Sequence, residues 1–185
     1  MISCDFFGGL GNNLFQLATV YSIHKLANVE LQIPSYTDRG NIGIYGQETN
    51  LELSNLFENE FIYNNELQLT KYKHTDTDLS KTDYSYSPIP LYDNMCYSGY
   101  FQSDKYFLGV DISKEFKLRQ DNINQLKTEY QHVFDKKTIS LHYRLGGDRV
   151  TDLMQNYHKN VSIDYYKNAL NLINFNPDEY NILVF

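Results

Sequence analysis

The chain has 185 residues, 42% of them apolar, enough for one large domain or for one domain and part of a second. Its 16 basic residues face 23 acidic ones, and the net charge of −7 argues against a nucleic-acid surface. A nucleotide site stays open, since it needs only one or two local cations. No run approaches the ~20 apolar residues that span a bilayer, and Cys4 and Cys96, the only cysteines, make neither a disulfide framework nor a metal cluster.

The first residues show no charged segment ahead of an apolar one, so no signal peptide is expected. A reducing, cytoplasmic setting is the reading, with peripheral attachment to a membrane left open. Residues 2–7 read as a short strand, 8–13 as a tight glycine loop, and 14–27 as an apolar helix. That order sets backbone N–H groups at a positive helix end, which favours an anion or a sugar hydroxyl near the main chain. Glycine suits the loop because a Cβ would block the turn and the close approach. Taken alone, the loop reads better as a tight βα turn that binds nothing. Leu14, Phe15, Leu17, Ala18, Val20, Tyr21, Ile23 and Leu26 cover most of the helix and predict burial against a sheet. Val29-Glu30-Leu31-Gln32-Ile33 alternates as a second strand closed by Pro34, completing a β-loop-α-β unit.

Residues 37–50 carry Gly40, Gly43 and Gly46 and read as a loop, followed by a short helix around Leu51, Leu53, Leu56 and Phe57. Residues 71–90 are polar and read as an exposed excursion. Within it, Asp76-Thr77-Asp78 could in principle share a hard cation. It does not end an apolar strand, so it reads as a solvated loop. His24 reads as a core-edge histidine. His74 and His132 lack partners at ligand spacing, and no metal site is expected. Residues 95–100 read as a strand and 103–107 as a helical turn. The stretch 99–107 is either a corner packing Tyr100, Phe101 and Tyr106, or an acceptor site using Gln102 or Lys105.

Ile123, Leu126, Tyr130 and Val133 give one face of a helix over 121–133, and Lys136-Lys137 marks the expected domain boundary, separating 1–137 from 138–185. The last βαβ unit is a strand at 138–143, a helix near 163–174 with Ser162 as N-cap and Asp164 in its first turn, and a strand at 180–185. In the first of these strands Ile139, Leu141 and Tyr143 alternate with Ser140, His142 and Arg144 before Gly146-Gly147 ends it. An arginine at the carboxyl end of a strand points to the crevice where α/β proteins bind ligands. Its fork of donors suits a phosphate. The competing reading pairs Arg144 with Asp148 on the surface. No Gly-x-x-x-x-Gly-Lys-Ser/Thr is present, which excludes a P-loop.

Several of these stretches carry a resemblance. Gly-Gly-Leu-Gly-Asn-Asn-Leu-Phe-Gln at 8–16 resembles the opening signature Gly-Gly-Leu-Gly-Asn-Gln-Leu-Phe-Gln of the α-1,2-fucosyltransferase family (glycosyltransferase family 11). Gly-Tyr-Phe-Gln-Ser-Asp-Lys-Tyr-Phe at 99–107 resembles that family's mid-chain motif. Residues 140–148 resemble its His-x-Arg-x-Gly-Asp motif, and His158 with Tyr165-Tyr166-Lys167-Asn168-Ala169-Leu170 resembles the segment after it.

The resemblance implies an α/β fold of two Rossmann-like domains of GT-B type, the second here reduced to one βαβ unit. It implies metal-independent, inverting transfer of L-fucose from GDP-L-fucose to the 2-OH of a galactose-containing glycan, with no cofactor. Arg144 would bind the donor's β-phosphate, Asn12 would lie beside the fucose, and His142 and Asp148 would support the Arg144 loop. Gly9 and Gly11 belong to the same donor-binding set, and Arg144, Asn12 and Asp148 to the catalytic one. Asp5, at the end of the first strand, is the candidate considered for the base. Departures are Asn13 where Gln is usual, Leu145 where a second Arg often occurs, and Gly146-Gly147, one residue longer than the usual step. In the family, the strand at 182–185 leads on into most of the nucleotide-binding half. The alternative expectation is a non-catalytic remnant or split-enzyme half that binds glycans or an assembly partner.

Overall fold

A computed structural model describes residues 1–34, 53–77, 86–143 and 161–185. The chain divides into two compact units, 1–119 and 120–185. Each is mixed α/β and built on a small parallel sheet.

In the first unit, β1 (Ile2–Cys4), β2 (Thr70–Lys73) and β3 (Met95–Ser98) form a parallel sheet in the order β1-β3-β2. Ile2 pairs with Met95, and Met95 in turn with Thr70. All of β1 is buried. The expected second strand joins the other edge of β1 through a single bridge, Leu31 with Ile2, and bridges in turn from Ile33 to Tyr63. The chain between β1 and that edge is helix α1 (Leu10–Ala27), so the β-loop-α-β unit forms as its pattern predicts. Asn28 ends the helix in the left-handed conformation (φ 52°), its N–H on the His24 carbonyl. Asparagine tolerates that conformation better than most side chains.

α1 starts four residues earlier than expected, and it is not apolar all round. Leu17, Val20 and Ile23 pack into a core with Ile2, Cys4, Tyr97 and Phe101, while Phe15 and Leu26 remain exposed. Cys4 acts as the small buried hydrophobe its context suggested. Short helices α2 (Leu53–Leu56) and α3 (Ile112–Glu115) flank an aromatic cluster in which Phe116 meets Tyr21, Phe57 and Phe61 at centroid distances of 4.7, 5.3 and 6.1 Å. Tyr97, fully buried in β3, donates its hydroxyl to the Pro90 carbonyl at 2.8 Å and accepts the Tyr92 N–H at 3.1 Å.

The second unit holds α4 (Gln120–Glu129), a 3₁₀ turn at 131–134, β4 (Lys137–Leu141), α5 (Ile163–Leu172) and β5 (Tyr180–Val184). β4 and β5 pair in parallel, from Lys137 with Tyr180 to Leu141 with Val184. The boundary at 119/120 replaces the one expected at 137/138. The reason lies in the 3₁₀ turn: Thr138 donates its hydroxyl to the Val133 carbonyl, and the Asn181 side-chain amide donates to the His132 carbonyl. These bonds tie the turn to both strands. Val133 is the one buried residue among those described in this unit, while Ile163, Leu172, Val184 and Phe185 are exposed. No described helix is long and apolar enough to cross a membrane.

Candidate functional site

Parallel strands release the chain on a common side, and in open α/β sheets ligands bind at that carboxyl edge. In the first unit, β1 runs out into 5–9, β3 into 99–102 and β2 into 74–76. The ladder continues past the strands, with the Asp5 N–H on the Tyr97 carbonyl at 3.0 Å and the His74 N–H on the Ser98 carbonyl at 2.8 Å.

The glycine loop is shorter than its sequence suggests, because the helix begins at Leu10 and takes Gly11 and Asn12 into its first turn. Gly8 alone has a left-handed φ (+77°), and a Cβ on it would lie 2.3 Å from Asn12 Nδ2. At Gly9 and Gly11 a Cβ would meet no atom within 4 Å. The chain's own packing therefore demands glycine only at position 8. Two buried amides hold the loop. Gln16 donates to the Phe7 carbonyl and accepts from the Phe7 N–H, both at 3.2 Å, gripping both polar groups of that residue. Asn13 donates to the carbonyls of Gly8 and Gly9 at 3.1 and 2.6 Å. Gly9, the N-cap residue, brings no side-chain cap, and the first turn holds no acidic residue. Its leading N–H groups have no acceptor within the helix.

Opposite this loop lies the corner after β3. A Cβ on Gly99 would lie 2.5 Å from the Phe101 ring and 2.8 Å from His74 Cβ, so glycine is required for the close approach. Phe101 is fully buried and left-handed (φ 51°), an unusual conformation for a bulky residue. The Asp76 carboxylate accepts the Tyr100 N–H at 3.1 Å and the Phe101 N–H at 2.7 Å. Beyond the corner, the Gln102 side-chain amide donates to Asn12 Oδ1 at 2.6 Å, and the rings of Phe7 and Tyr100 meet edge-on at 4.8 Å. The stretches at 8–16 and 99–107 thus come together at one amide–amide contact.

His74 backs this corner. Its Nδ1 lies 3.1 Å from Asp76 Oδ1, and its Nε2 lies 3.0 Å from Ser87 Oγ and 3.2 Å from the Tyr106 hydroxyl. Nδ1 also faces the Asp76 N–H at 3.2 Å, and Nε2 lies 3.4 Å from the Ser87 carbonyl. The order Ser-His-Asp mimics a nucleophile relay. Here the imidazole is closed to solvent and two hydroxyls converge on one nitrogen, which makes it a satisfied internal network. Burial pushes the Asp76 carboxyl up, but the His74 side chain and the Phe101 and Tyr100 amides outweigh it and hold the group below its ordinary range. Asp76 is therefore not the solvated loop residue that its polar surroundings suggested, and Asp78 lies outside the described residues.

No family model, curated protein or solved structure matches the chain.

Of the residues singled out from the sequence, Gly9, Gly11 and Asn12 gather at the start of α1. His142 lies just past β4 in the second unit, exposed, with its carbonyl accepting the Tyr166 hydroxyl at 2.8 Å. Arg144, Asp148 and His158 fall outside the described residues. Asp5, the candidate base, is paired with Lys71 at 3.1 Å and accepts the Cys96 thiol at 3.6 Å. Among the described residues no cluster of three or more metal-ligating side chains occurs. A cavity of about 160 Å³ lined by Tyr21, His24, Leu31, Ile33, Phe61 and Ile62 lies at the far end of α1 from these motifs. The residues that sequence reasoning passed over are His74 and Asp76. Their signal was the spacing His-x-Asp immediately after Thr70–Lys73, which only reads as a strand once Tyr72 is seen facing Tyr97 (5.7 Å between ring centroids).

Proposed function

We propose that the chain belongs to a glycosyltransferase of the α-1,2-fucosyltransferase type, with the first unit contributing the glycine-loop side of a GT-B arrangement. The observation that carries this reading is the 2.6 Å bond from Gln102 to Asn12. Two separate stretches that resemble the family's motifs meet there, at the carboxyl edge of a parallel sheet. The open space over Gly9 and Gly11 lets a sugar or phosphate approach the main chain. The reaction would be one inverting displacement of GDP from GDP-L-fucose by the 2-OH of a galactose-containing acceptor, without metal. Arg144 would offset the charge developing on the departing diphosphate, with Asp148 and His142 supporting its loop.

A second reading is favoured by the exposure of Ile163, Leu172, Val184 and Phe185. Here the second unit covers these side chains with another polypeptide, and the chain acts as a glycan-binding or assembly partner.

Calorimetric titration with GDP and GDP-L-fucose, together with transfer from labelled GDP-L-fucose to lactose, separates the two. Nucleotide binding with transfer supports the first. Lactose binding without any affinity for GDP overturns it in favour of the second.

A further inference from the structure

We propose that Asp76 is a positioning residue: its carboxylate holds the Tyr100–Phe101 backbone in the turn that sets Gln102 against Asn12. Its functional meaning rests on the reading of the glycine loop as a sugar site, whereas the positioning itself does not.

Gln102 is exposed and its side chain has many rotamers, so a 2.6 Å bond to Asn12 needs its backbone delivered in a fixed direction. The residue that delivers it, Phe101, has a left-handed backbone that an aromatic side chain adopts only when its surroundings enforce it. Two constraints do so. The ring is sealed in the core, 5.2 Å from the His74 ring and 5.5 Å from the Tyr106 ring. The backbone is held by Asp76, whose two oxygens take the consecutive N–H groups of Tyr100 and Phe101. An ionised carboxylate accepts both at once, each more strongly than a neutral oxygen would. Asp76 is in turn steadied by His74, and His74 by Ser87 and Tyr106. The order is thus a buried imidazole, a carboxylate, two amides, a left-handed residue, and finally the side chain at the loop.

The test reads the Gln102 side-chain amide in ¹H–¹⁵N correlation spectra of the full chain, assigned by its loss in Gln102→Ala. In the wild type the bond to Asn12 sets this signal apart from exposed glutamine amides and slows its exchange with water. Asn12→Ala sends it to the exposed position. Asp76→Ala is expected to do the same, and combining it with Asn12→Ala adds no further shift. Asp76→Asn keeps one acceptor oxygen and restores part of the wild-type position. A wild-type Gln102 signal in folded Asp76→Ala overturns the proposal. If Asp76→Ala fails to fold, an unmoved signal in Asp76→Asn overturns it equally.

In a parallel titration with GDP-L-fucose, Gln102→Ala is expected to weaken binding by about tenfold, the scale of one lost hydrogen bond, Asp76→Asn by less, and the double variant by no more than Gln102→Ala alone. Additive losses overturn the claim that Asp76 acts through Gln102. A spectral response from a wild-type chain that binds no GDP-L-fucose supports the positioning and overturns the fucosyltransferase reading.

Discussion

Replacing Gly11 with alanine sets stability against function. Gly11 lies in the first turn of α1, exposed, with no left-handed φ, and a methyl there meets no atom within 4 Å. Alanine therefore fits without strain and restricts the unfolded chain, which in helices stabilises by roughly 0.5–1 kcal/mol. The lower end applies to a terminal turn, and the expected rise in Tm is about 1–2 °C. If a nucleotide sugar approaches the main chain here, the same methyl occupies its path. A steric conflict of about 1–3 kcal/mol weakens binding by roughly 5–150-fold. Thermal melts and calorimetry with GDP-L-fucose on the same preparation give both quantities. A lowered Tm would contradict the described start of the helix. A raised Tm with unchanged affinity would show that no ligand rests on Gly11.

Gly99→Ala goes the other way: its Cβ would sit 2.5 Å from the buried Phe101 ring and 2.8 Å from His74 Cβ, so denaturant melts should show a loss of about 1–3 kcal/mol. The Asp76 carboxyl, held below its ordinary value of 3.8 in the fold, contributes stability that is complete above the ordinary carboxylate range and is lost as pH falls through the lowered value. Asp76→Asn should flatten that acid limb in urea melts between pH 2 and 6, and an unchanged slope would refute the linkage. Under the proposed function Arg144→Lys should impair transfer nearly as much as Arg144→Ala, because a point charge does not replace a bidentate fork; wild-type activity in the alanine variant refutes that role. EDTA should leave GDP-L-fucose binding unchanged, and a loss restored by manganese would overturn the metal-free mechanism.

The fold was legible where one chemical preference dominated. Ser162 and Asp164 marked the start of α5, and the apolar run at 182–184 marked β5. α1 ends at Ala27, where its apolar periodicity ends. Legibility failed where pairing, not pattern, makes the element. β2 is Thr-Lys-Tyr-Lys, three of its four residues exposed, and it is a strand because β3 lies beside it. The 29–33 segment alternates well yet makes only isolated bridges. At the candidate site, Asn12 and the glycines were visible as a motif, and Gln102 was one of two options. Asp76 was misread because a carboxylate satisfied by main-chain amides leaves no trace in composition. Asn13 and Gln16 likewise read as motif letters, while their part is to hold the Phe7–Gly9 backbone from inside.

The strand order β1-β3-β2 has a consequence for how the chain folds as it is made. The first two strands to leave the ribosome do not touch each other; both pair with the third, which arrives only at Met95–Ser98. Until then Ile2 has only the single bridge to Leu31, and Cys4 and the core face of α1 lack the β3 side chain Tyr97 to close against. Such long-range parallel pairing is slow and leaves apolar surface open during synthesis. Nascent chains halted shortly before Met95 should therefore be engaged by holdase chaperones, and chains extended past Gln102 should be released, since the same few residues that complete the sheet also bring Gln102 to the glycine loop.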